Sequence, residues 1–86
     1  MPANDKDELR DLILELTAKR GPDKTICPSE AARAYTDDWR DLMPVVRTAA
    51  GELQQQGKIK VLQDGNPVDI EAASGPVRLQ FNPPTE

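Results

Sequence analysis

At 86 residues, with a formal charge of -4, no histidine and one cysteine, the chain has the length of one small domain. Such a domain buries only about 60% of the surface its unfolded chain exposes. Apolar residues make up 37% and charged residues 30%, enough for a compact core but too little to line a deep substrate pocket as well. Without histidine there is no usual general base for a nucleophilic triad, and the commonest metal ligand is missing.

These features mark the chain as non-catalytic, with no metal site and no cofactor. A lone thiol forms no internal disulfide, which fits a reducing, cytoplasmic setting. The start MPANDKDELR has no basic segment leading into an apolar run, and no stretch approaches the roughly 20 apolar residues of a membrane span. The net acidity argues against non-specific coating of nucleic acid, although a local basic patch is compatible with it.

From Asp7 to Arg20, the residues Leu9, Leu12, Ile13 and Leu16 recur at helical spacing and predict the first helix. Its end is marked by Lys19, Arg20, Gly21 and Pro22: basic residues in the last turn, a glycine able to take the left-handed position, and a proline that cannot continue the helix. Glu15 and Lys19 add an i,i+4 pair. Lys24 to Ile26 reads as a brief strand. CPSEAAR follows, with Pro28 at a helix start, where its missing N–H is no loss. Glu30 stands at the third position, able to reach back to the amide of residue 27. Pro28, Ala31, Ala32 and Tyr35 then predict a second helix of about two turns, with an inner face small enough for close approach.

YTDDWRD is turn-like, and Asp38 with Asp41 suggests a cap for a third helix. Trp39, Leu42, Val46, Ala49, Ala50 and Leu53 form its apolar stripe, which makes Trp39 a core residue, and Gly57 is its expected terminator. Pro44 implies a kink or restart, with the regular part running from Pro44 to Gln56. Ile59 and Val61 alternate with Lys58 and Lys60 before the turn signal Asp64-Gly65. Asp69 to Ser74 reads as one helical turn closed by Gly75-Pro76, and Val77, Leu79 and Phe81 as a final strand.

This order predicts an α+β winged helix, a three-helix helix-turn-helix core with a small antiparallel hairpin as the wing, over residues 1–82. Residues 83–86 are expected to form a disordered tail. RGPDKTICPSEAARAY, DDWRDLMPVVR, the LQDG turn and GPVRL resemble the domain-of-unknown-function 3253 family of small bacterial proteins, over roughly Leu9 to Phe81. The resemblance implies a winged-helix fold and brings no known activity or site residues with it.

Two kinds of partner fit such a module. Away from its apolar stripe the third helix carries Arg40, Pro44, Arg47, Thr48, Gly51, Gln54 and Gln55, types suited to a DNA major groove: arginine for guanine edges, glutamine for adenine, glycine for close approach. Lys58, Lys60 and Arg78 on the wing would add phosphate contacts. The candidate duplex-DNA contacts are therefore Arg40, Arg47, Thr48, Gln55, Lys58 and Lys60. Against them, Asp37, Asp38, Asp41 and Glu52 leave residues 37–63 neutral, which suits a protein-protein interaction module within a larger complex equally well. Leu14, off the apolar stripe, faces either a partner or the C-terminal segment. Cys27 at a helix start raises the question of a reactive thiol. With no histidine or second cysteine to activate or resolve it, it reads as a cap or a small hydrophobe.

Overall fold

The computed structural model describes residues 5–84, so the final two residues of the expected tail lie outside the described residues. Three helices pack on one face of a four-stranded antiparallel sheet of order β1-β4-β2-β3. The architecture is mixed α+β. Among the described residues no helix is long and apolar enough to cross a membrane.

Helix α1 (Asp5–Arg20) begins two residues earlier than expected and buries Leu9, Ile13 and Thr17. Thr17 was not expected inside. Its hydroxyl donates to the Ile13 carbonyl at 2.7 Å, which satisfies the group within the helix. Strand β1 (Thr25–Ile26) leads into α2 (Pro28–Tyr35), whose start forms as anticipated: the Cys27 amide donates to Glu30 Oε2 at 2.7 Å. Ala31 and Ala32 are fully buried and let the helices close on one another. The Tyr35 hydroxyl ties α2 to α1, standing 2.6 Å from both Asp5 Oδ1 and Glu8 Oε2. Those carboxylates, Asp5 first, hold its pKa well above the ordinary phenol value.

The third helix restarts at its proline. A 3-10 turn (Trp39–Leu42) precedes α3 (Met43–Gln55), with Pro44 in the first turn, where no backbone donor is needed. Two expectations change here. Asp38 makes no side-chain cap, because Asp41 lies inside the 3-10 turn rather than in the first turn of an α-helix. Trp39 is half-buried at the rim of the core rather than within it, and the guanidiniums of Arg33 and Arg40 stack on its ring at 4.7 and 4.5 Å from the centroid.

α3 closes with a paired exchange of bonds: the Lys58 amide donates to the Leu53 carbonyl at 2.9 Å and the Gly57 amide to Gln54 at 3.0 Å. Gly57 supplies the positive φ of +75° that this closure needs. Strand β2 (Ile59–Gln63) turns through Asp64 and Gly65, both at positive φ, into β3 (Asn66–Pro67). β3 was not anticipated. It is short and ends in proline, which an edge strand tolerates. Residues 69–73 make the expected single turn, with the Ala72 and Ala73 amides donating to the Asp69 carbonyl, and β4 (Arg78–Phe81) completes the sheet. The sheet's inner face contributes Ile26, Ile59, Val61 and Leu79 to a core shared with Leu9, Ile13, Val46, Ala50 and Leu53. Leu14 lines a groove of about 510 Å³ with Phe81, Asn82 and Pro84, so it faces the C-terminal segment.

Candidate nucleic-acid interface

The flanks of α3 have different fates. Val46, Ala49, Ala50 and Leu53 enter the core. Glu52 turns toward α1, where it pairs with Lys6 at 2.7 Å and with Arg10. The hydrogen bond from Lys6, and then that from Arg10, lowers the Glu52 pKa below the usual carboxylate range. The acid that counted against phosphate in the sequence is thus neutralised on the far side of the helix.

The opposite flank is covered by the chain itself. Val68 to Val77 runs alongside α3 outside the regular ladder, and its peptide groups need partners from elsewhere. Gln54 supplies two, with Nε2 donating to the Val68 carbonyl at 2.6 Å and Oε1 accepting from the Ile70 amide at 3.1 Å. Arg47 supplies donors to the carbonyls of Ala73 at 3.0 Å, Ile70 at 3.4 Å and Gly75 at 3.5 Å. What approaches Gly51 closely is Ile70: a Cβ added there would lie 3.3 Å from Ile70 Cγ2.

What remains exposed on α3 is a stripe of Pro44, Thr48 and Gln55, about 40° wide at 3.6 residues per turn. It is uncharged, and the Thr48 hydroxyl donates to the Pro44 carbonyl at 3.1 Å. Of the six residues singled out in the sequence, Arg47 is therefore engaged by the 70–75 segment and Arg40 lies on Trp39. Thr48 and Gln55 stand together on the narrow stripe, and Lys58 and Lys60 follow the helix into the sheet.

The outer face of the sheet, turned away from the helices, has a different composition. Register places Lys60 opposite Gln80 and Leu62 opposite Arg78. The Asn82 amide donates to the Lys58 carbonyl at 3.1 Å, which extends the pairing by one more row. Thr25 lies beside Gln80 and Pro67 beside Leu62. None of these eight residues is acidic, and three consecutive rows carry one cation each: Lys58, Lys60 and Arg78. Neither lysine has an ion-pair partner among the described residues. Arg78 is anchored at one end, with Nε donating to Thr25 Oγ1 at 2.9 Å and Nη2 to the Thr25 carbonyl at 3.3 Å.

The acid beyond the β1 edge is Glu30, held by the Cys27 amide and by Arg20 at 2.7 Å. These contacts, the amide first, lower its pKa, and the charge of Arg78 adds to the effect. A family model described as "Protein of unknown function (DUF3253)" matches residues 6–82, from the first turn of α1 to the residue after β4. The chain belongs to this family. No curated protein matches it.

In this DUF3253 domain, the lysines expected on a strand, Lys58 and Lys60, stand just before β2 and on it, whereas the contacts of α3 with residues 68–75 were not foreseen in the sequence. Two signals pointed to them. Val68 and Ile70 are apolar residues in the long connection between β2 and β4, and apolar residues there need a cover. Gly51 interrupts a helix, and such a glycine commonly marks a close approach. Cys27 takes the plain structural role: it is the residue before α2, and its sulfur accepts from the Ser29 hydroxyl at 3.1 Å.

Proposed function

We propose that this protein is a non-catalytic winged-helix module that binds duplex DNA. The fold reading rests on three helices packed against an antiparallel sheet whose long β2–β4 connection takes the place of a wing. One observation carries the ligand: Lys58 and Lys60, which follow α3 into the sheet, have no acidic partner among the described residues. Unpaired cations of this kind release counterions on meeting phosphate, which is the main source of DNA affinity. Fluorescence anisotropy on a duplex at low and at physiological salt tests the reading. Binding that weakens with salt supports it, and no binding at the lowest salt removes it.

A protein partner is the second reading, and the Arg33–Trp39–Arg40 stack favours it. Tryptophan and arginine are the residue types that dominate interface hot spots, and these three sit together at the rim of the core.

A further inference from the structure

We infer that the outer face of the sheet, not α3, is the DNA-contacting surface, and that it tracks phosphates without reading bases. The inference rests on the DNA-binding reading above and relocates its contact. Rows along an antiparallel pair that share a face are about 7 Å apart, so the backbone positions of Lys58, Lys60 and Arg78 span about 14 Å, with the Arg78 guanidinium held over Thr25 on β1. Gln80, Asn82 and Thr25 beside them offer neutral hydrogen-bonding groups of the kind that contact phosphate and sugar.

Geometry separates this face from a groove reader. Four strands at about 4.8 Å spacing span roughly 14 Å before side chains are added. A major groove about 12 Å wide admits a two-stranded ribbon, not a sheet of that breadth. The face must lie across the sugar-phosphate backbone. It also lacks the aromatic side chains on which single-stranded bases stack, which leaves the duplex as its fitting ligand. Helix α1, which carries several of the acids, packs on β1 and β4 from the opposite face, a layer spacing of about 10 Å. That is beyond the roughly 8 Å Debye length at physiological salt, so they are largely screened from a ligand on the outer face.

The test is anisotropy on two random-sequence duplexes of different base composition over a salt series. With three phosphates contacted, log K should fall against log salt with a slope near -2.7, at about 0.9 per phosphate. Both duplexes should bind within about twofold of each other, as phosphate contacts carry no sequence information. Lys60→Gln should remove about 0.9 from the slope, and Arg78→Gln a similar amount. Arg78→Lys should restore the slope, which separates loss of charge from loss of fold. Thr48→Ala and Gln55→Ala should change neither slope nor affinity.

If either of those two α3 variants weakens binding more than Lys60→Gln, the sheet assignment is overturned while DNA binding stands. A preference of more than about tenfold between the duplexes has the same consequence, as it matches what a base-reading contact supplies. If neither duplex binds even at the lowest salt, the DNA-binding reading falls and takes the sheet assignment with it.

Discussion

The outer flank of α3 presents Arg47 and Gln54 and the outer face of the sheet presents Lys58, Lys60, Arg78 and Gln80, yet only the sheet leaves cations, Lys58 and Lys60, without an ion-pair partner among the described residues. On the sheet the peptide groups between β2 and β4 are satisfied by the ladder, so Lys60 owes nothing to the backbone, and only at the β1 edge and the end of β4 do Arg78 and Asn82 donate to carbonyls, those of Thr25 and Gly57. Along α3 the neighbouring chain is irregular, and its carbonyls draw on Arg47 and Gln54. A polar side chain is available to a ligand where the backbone beside it is already paired. It is committed where the backbone is not.

This contrast predicts opposite phenotypes for the two regions. The largest effect is expected at Ile70, which is 3% exposed and closes over Gly51. Ile70→Ala should cost about 3 kcal/mol in urea unfolding, in the range for truncating a buried aliphatic residue. Arg47→Ala should cost about 2 kcal/mol, because carbonyls of the 70–75 segment lose a charged donor. Gln54→Ala should cost about 1 kcal/mol for its two backbone bonds. Both variants should speed amide hydrogen exchange in residues 68–76, which an exposed DNA-reading side chain would not do.

On the sheet, Lys60→Gln should leave stability within about 0.5 kcal/mol, the usual range for an exposed position without partners.

The smallest expected effect is the response to acid. Glu30 and Glu52 both have pKa values lowered from 4.5 in the folded protein. The unfolded chain therefore takes up protons first as pH falls. Their stabilisation is fully present above the ordinary carboxylate pKa and is lost as pH drops through the lower folded values. The urea midpoint should hold steady near neutrality and decline on the acid side of 4.5, and Glu52→Gln should make that decline shallower.

Local physics made much of the fold legible. The spacing of Leu9, Ile13, Val46, Ala50 and Leu53 gave the inner faces of α1 and α3. Pro28 with Glu30, Pro44, and Gly57 marked where helices begin, restart and end, because each residue has one backbone use at its position. Asp64-Gly65 announced its turn in the same way. What stayed hidden depends on distant contact. Arg47 and Gln54 fall on the polar side of the α3 wheel, and periodicity cannot tell a side chain facing water from one facing the backbone of residues 68–75. Trp39 matched the apolar stripe, yet the 3-10 turn before α3 rotates it to the rim of the core. Glu52 read as an exposed acid until α1 brought Lys6 and Arg10 to it.

The candidate interface divides along the same line. Lys58 and Lys60 were legible because strand alternation alone places them opposite Ile59 and Val61. The engagement of Arg47 with residues 70–75 was not legible, because its partners lie 23 or more residues away in sequence.

The measurement that bears most directly on this account compares Arg47→Ala with Lys60→Gln in one DNA-binding titration at low salt, each under conditions where circular dichroism shows it folded. Arg47→Ala should bind as the unmodified protein does, and Lys60→Gln should bind more weakly with a shallower salt slope. Loss of binding in Arg47→Ala with none in Lys60→Gln would contradict the sheet assignment.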